Sequence, residues 1–118
     1  TRLVGSEMCI REGQTLSDIT IHFLFDSNNQ IVYIRIWNLL KIPDQFNSIA
    51  LTIINELNNT YRFVRFYLNT ANGIDVFVDS LIYSGTIGKT CINLGIVIAK
   101  ICDYIYPKLT EYFQTQQM

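Results

Sequence analysis

The stretch that most constrains the fold is ITIHFLFDSNNQIVYIRIW, Ile19 to Trp37. Its bulky apolar residues alternate: Ile19, Ile21, Phe23 and Phe25 before the break, Val32, Ile34 and Ile36 after it. A period of two marks half-buried strands, because successive side chains leave a strand on opposite faces. Asn28-Asn29 reads as a two-residue turn, since Asn tolerates positive φ. That turn sets Phe25 opposite Val32, Phe23 opposite Ile34 and Ile21 opposite Ile36 on an apolar face. On the other face it sets Leu24 opposite Tyr33, His22 opposite Arg35 and Thr20 opposite Trp37.

RFVRFYLNTANGIDVFVD, Arg62 to Asp79, is a second hairpin. A two-residue turn at Asn72-Gly73 would put Val76 and Val78 on the wrong face from Val64, Phe66 and Leu68. A three-residue loop, Ala71-Asn72-Gly73 with a left-handed Gly73, restores the split and pairs Leu68 with Val76 and Phe66 with Val78. Tyr67 then faces Phe77 and Arg65 faces Asp79, an exposed ion pair contributing little stability. Between the hairpins, Pro43 and Asp44 suit the first turn of a helix. Phe46, Ile49, Ile53 and Leu57 follow at helical spacing, and Asn58-Asn59 suits its end. From Ile87 a second helix carries two apolar stripes: Ile92, Ile96, Ala99 and Asp103, then Ile98, Ile101, Ile105, Leu109 and Tyr112. So wide an apolar surface packs on the sheet and on something more, another helix or subunit. Pro107 frees the carbonyl of Asp103 and kinks this helix, and Thr86 caps its start. Met8, Ile10 and Leu3 suggest a strand ahead of the first hairpin.

The resulting order is β-β-β-α-β-β-α, an α+β domain with an antiparallel sheet of about five strands and helices on one face. A chain of 118 residues fits one domain. Nine Lys and Arg against ten Asp and Glu leave no broad positive field for nucleic-acid phosphates or an anionic membrane surface. The uncharged run Thr90 to Ala99 is about half of the roughly 20 residues that span a bilayer. Arg2, Glu7, Arg11 and Glu12 interrupt any apolar leader at the start.

Three cysteines cannot all pair within one chain. Cys91 and Cys102, on one helix, stand roughly 16 Å apart, too far for a disulfide or a shared metal. With Cys9 they read as buried thiols in a reducing cytoplasm. His22 is the sole histidine. A neighbouring Arg35 competes for any orienting carboxylate, so it reads as a surface residue. Asp75 and Asp79 lie about 13 Å apart along a strand, too far to share a metal or work as an acid/base pair. Ser84-Gly85-Thr86-Ile87-Gly88 lacks the Lys-Ser/Thr of a phosphate loop. These features imply no catalytic residues, metal or cofactor.

What remains is the second sheet face: Tyr33, Arg35, Trp37, Phe63, Arg65, Tyr67 and Phe77, with Leu24 beside them. Arg and aromatic residues are the types enriched at protein-interface hot spots. They would also stack single-stranded nucleic acid, which the neighbouring acids and neutral net charge oppose.

The string NLLKIPDQFNSIALTIINELNNTYRFVRFYLNTANGIDVFVDSLIYSG, followed by a helix containing IYPKLTEYF, resembles the YbjN-like family, described as bacterial sensory transduction regulators. The resemblance runs from Ile31 onward. It rests on Asn55-Glu56-Leu57-Asn58, Tyr61-Arg62-Phe63, Gly73 and Ile105-Tyr106-Pro107, which are loose apolar patterns. It implies a fold similar to type III secretion chaperones, with a helix before the first strand that this chain lacks. Together these readings predict a non-enzymatic, homodimeric, cytoplasmic module that binds a protein or peptide. The alternative is a regulatory domain sensing a small ligand between the sheet and the C-terminal helix.

Overall fold

A computed structural model describes residues 4–10 and 19–116, with side chains for 19–114. Leu3 and residues 11–18 lie outside the described residues, as do the side chains of Met8, Cys9 and Ile10. The chain runs β1 (Val4–Ile10), β2 (Ile19–Phe25), β3 (Ile31–Lys41), a 3-10 turn (Asp44–Phe46), α1 (Asn47–Thr60), β4 (Arg65–Leu68), β5 (Gly73–Leu81) and α2 (Ile87–Gln116). This is an α+β domain. The strands form one antiparallel sheet in the order β1-β2-β3-β5-β4, with β1 joining the other four along β2, from Val4↔Phe25 to Ile10↔Ile19.

The first hairpin has the register that its alternation predicts, from Phe25↔Val32 to His22↔Arg35. Its turn is longer than two residues. The Asn29 N–H donates to the Asp26 carbonyl at 3.0 Å, and Asp26 Oδ1 accepts from the N–H groups of Gln30 at 2.7 Å and Ile31 at 3.1 Å. Asn29 alone takes the left-handed conformation, at φ 53°. The Asp26 carboxylate satisfies the loop's inward amides, and the longer loop closes around the same centre, so the register is unchanged.

The second hairpin corrects the predicted one. Its pairs are Arg65↔Phe77, Phe66↔Val76, Tyr67↔Asp75 and Leu68↔Ile74, two residues away from the predicted partners but with the same residues on each face. The loop is three residues long, as predicted, but consists of Thr70-Ala71-Asn72. The Asn69 N–H donates to the Gly73 carbonyl at 2.8 Å, and Asn72 N–H to the Asn69 carbonyl at 3.0 Å. The left-handed residue is Asn72, at φ 63°, and not Gly73. Glycine is needed at 73 for a different reason: a Cβ there would lie 2.0 Å from Asn38 Oδ1 and 2.9 Å from Asn69 Nδ2.

Both helices cover one sheet face. Ile21, Phe23, Val32, Ile34, Ile36, Phe66, Val76 and Val78 form a single core with Ala50 and Ile54 of α1 and with Ile98, Cys102, Ile105, Leu109 and Phe113 of α2. Pro43 precedes the 3-10 turn, so the α-helix begins later than predicted and ends at Thr60. The predicted α1 stripe, Phe46, Ile49, Ile53 and Leu57, flanks the core, while Ala50 and Ile54 are fully inside. On α2 the buried residues come from both predicted stripes, Ile98, Ile105 and Leu109 from one, whose Tyr112 is 40% exposed, and Ala99 from the other. The latter stripe leaves Ile92 57% and Ile96 43% exposed, beside exposed Val97. The helix continues through Pro107. Thr86 does not cap it with its side chain: its hydroxyl donates to the Tyr83 carbonyl at 3.1 Å. Burial pushes the Cys102 thiol up to about 12, so this buried cysteine stays protonated and inert at neutral pH. No helix among the described residues is long and apolar enough to cross a membrane.

Candidate functional site

The face opposite the helices is built by strand alternation. Tyr33, Arg35 and Trp37 leave β3 on this side, Arg65 and Tyr67 leave β4, and Phe77 and Asp79 leave β5, since their neighbours on each strand are core residues. Phe77 stands between two arginines, opposite Arg35 on β3 and opposite Arg65 on β4. The Arg35 guanidinium lies 4.1 Å from the Phe77 ring centroid and 5.5 Å from that of Tyr33. Tyr67 and Phe77 are tilted rings 5.0 Å apart. The result is a cross-strand row in which guanidinium and π faces attract each other beyond simple area burial.

The predicted Arg65–Asp79 pair is replaced. Asp79 faces Tyr33 on β3, and Arg35 Nη1 donates to Asp79 Oδ1 at 2.7 Å. The two-residue difference in hairpin register moves Asp79 off Arg65, and the β3–β5 register sets it on the diagonal of Arg35. Arg35 is therefore fixed, with its side chain 14% exposed, and it donates a second hydrogen bond to the Ile34 carbonyl at 3.0 Å.

Arg62, Phe63, Arg65, Tyr67, Phe77 and Asp79 line a cleft of about 320 Å³. Phe63 precedes β4 in the bend after α1 and projects into this cleft while 54% exposed. The neighbouring Tyr67 hydroxyl, with a smaller pull from Asp79, raises the Arg65 guanidinium above its ordinary value, and arginine is in any case a cation at neutral pH. Of the seven residues predicted for the site, four line this cleft: Phe63, Arg65, Tyr67 and Phe77. Tyr33 and Arg35 join them through the row described above. Trp37 sits farther along β3, 43% exposed, with its ring 4.6 Å from that of His22.

Arg62 is the contributor that alternation alone does not reveal, because it lies outside β4 and follows no strand parity. Its only sequence signal is the Arg-x-x-Arg spacing with Arg65. Asp75 leaves the site altogether: it is 7% exposed and accepts hydrogen bonds from the Asn38 N–H and from Asn69 Nδ2, both at 2.9 Å. Among the described residues, no group of three or more His, Cys, Asp or Glu side chains is placed to hold a metal ion.

Comparison of the chain with protein-family models, with curated proteins and with solved structures gives no match, so the reading of this face rests on its geometry.

Proposed function

We propose that this domain is a non-enzymatic protein- or peptide-binding module, chaperone-like or regulatory, that works as a homodimer in the cytoplasm. The observation that carries the reading is the aromatic and guanidinium surface on the sheet face turned away from both helices. Trp37, Phe63 and Tyr67 on it are each more than two-fifths exposed. Large amphipathic side chains held rigid by a sheet lose little conformational freedom when they bind, which is why such residues dominate interface energetics. The family resemblance of the 55–58, 61–63 and 105–107 segments, and with it a type III secretion chaperone-like fold, agrees with such a role.

Panning a random peptide-display library tests the binding reading. Selection on the wild-type domain is expected to enrich peptides whose binding falls at least about tenfold on the Trp37→Ala/Tyr67→Ala variant, a loss of about 1.4 kcal/mol or more. Both positions are exposed, so the variant should keep its circular dichroism and unfolding midpoint. No enrichment, or enriched peptides that bind both proteins equally, would remove this face as the site.

Dimerisation is supported by Ile92 and Ile96, which lie one helical turn apart on α2 and expose apolar surface next to Val97. Ile92→Glu/Ile96→Glu is expected to halve the mass found by sedimentation equilibrium and to leave the folded spectrum intact. A wild-type domain that sediments as a monomer at tens of micromolar would end this part of the proposal.

A further inference from the structure

Resting on the peptide-binding reading above, we infer that the cleft selects an extended peptide carrying carboxylates beside aromatic side chains, docked on the sheet face and not added as a strand at the β4 edge. The one acid lining the cleft, Asp79, is already held by Arg35 at 2.7 Å. Arg62 and Arg65 also line the cleft, and among the described residues neither has a carboxylate within ion-pair distance. The cleft therefore presents two guanidinium groups outside any direct ion pair, with the one nearby acid, Asp79, engaged by Arg35 and acting on Arg65 only from a distance, in a chain whose net charge is only −1. Guanidinium groups match carboxylates in bidentate geometry.

Between those cations lies an aromatic floor. Phe63, Tyr67 and Phe77 line the same cleft, the first two 54% and 42% exposed, so an aromatic side chain next to the acid has a surface to cover. In an extended ligand, acid and ring then alternate. Along the outer edge of β4, the Val64 N–H already donates to the Tyr61 carbonyl at 3.0 Å. Asn58 Oδ1 accepts from the Phe66 N–H at 2.7 Å, and Asn58 Nδ2 donates to the Phe66 carbonyl at 3.1 Å. An incoming strand finds the Phe66 groups at the middle of this edge occupied, which favours the face as the route. A single-stranded nucleic acid would share the stacking surface, but it needs a track of cations for successive phosphates, and the cleft supplies two together with an acid.

Fluorescence polarisation with a labelled, end-blocked peptide in which aspartate alternates with phenylalanine tests this. Its counterpart with asparagine in place of aspartate, and a labelled oligouridylate, complete the set. On wild type the acidic peptide is expected to bind about tenfold or more tighter than the asparagine peptide. On Arg62→Gln/Arg65→Gln, whose two positions are both exposed, that preference should shrink to within about twofold while the asparagine peptide binds as before. Equal binding of the two peptides to wild type overturns the acidic selectivity and leaves the peptide-binding reading standing. No binding by either peptide, with no enrichment in the display selection, overturns both. Tighter binding of the oligouridylate than of either peptide overturns the choice of a peptide as the occupant.

Discussion

Asp75→Ala is expected to destabilise the domain by roughly 1–3 kcal/mol. The reason lies in a defect of β3. That strand pairs regularly with β5 up to Ile36↔Val76 and resumes at Leu40↔Ile74, so it carries two residues more than β5 across the same interval. The excess forms a bulge around Asn38, which is left-handed at φ 57°. Its N–H has lost its ladder partner and donates instead to Asp75 Oδ1 at 2.9 Å. The same oxygen accepts from Asn69 Nδ2 at 2.9 Å, and that amide also donates to Asn38 Oδ1 at 2.8 Å. Asn69 in turn holds the hairpin loop, its Oδ1 accepting from the N–H groups of Ala71 and Gly73, each at 2.9 Å. One carboxylate thus joins the β3 bulge to the β4–β5 turn. Alanine would leave the part-buried Asn38 N–H without an acceptor and take one of two acceptors from Asn69 Nδ2, which keeps Asn38 Oδ1; an unsatisfied buried donor costs about 1–3 kcal/mol. Asp75→Asn keeps the acceptor oxygen and should lose about half as much. Urea unfolding of the three proteins at neutral pH measures it. An alanine variant within about 0.5 kcal/mol of wild type would show that the bulge is held by something else.

That network also explains where the sequence was legible and where it was not. Alternation separates the two sheet faces correctly from β2 onward up to Trp37 in β3 and through β4 and β5, because burying one face fixes side-chain parity; past Trp37 the bulge at Asn38 breaks it. It also gives the register of the first hairpin, where the turn residues and the apolar faces agree. In the second hairpin it leaves two registers that keep the same faces, and choosing between them requires contacts across the fold. Asn69 selects the loop Thr70-Ala71-Asn72 because its amide meets Asn38, far away in sequence, as well as Asp75. Local turn chemistry, which favours glycine as the left-handed residue, points to Gly73. The packing of Asn38 against Gly73 gives that glycine a different task. The candidate site inherits both results. Its aromatic members follow from parity, whereas the Arg35–Asp79 pair follows from the register and Arg62 from the bend after α1.

Asn58→Ala is expected to cost roughly 1.5–3 kcal/mol and to turn a closed sheet edge into an open one. The Asn58-Asn59 pair reads in sequence as a helix end, yet α1 continues to Thr60 and Asn58 turns its amide outward from the last turn to the sheet. There it imitates a neighbouring strand, accepting from the Phe66 N–H and donating to the Phe66 carbonyl. Phe66 is a core residue, 1% exposed, so water reaches its backbone poorly once the amide is removed. Both groups would then be orphaned, or would seek the backbone of another molecule. Two signals should therefore appear together: loss of hydrogen-exchange protection at the Phe66 amide, and association that grows with protein concentration. Asn58→Asp should retain protection at that N–H, since one carboxylate oxygen can still accept, while repelling the carbonyl. Unchanged exchange at Phe66 in the alanine variant would mean that the edge is closed by backbone twist and not by this side chain. The same result would reopen β4 as a place for a peptide to add as a strand, which ties the stability of this edge to how the face beside it is used.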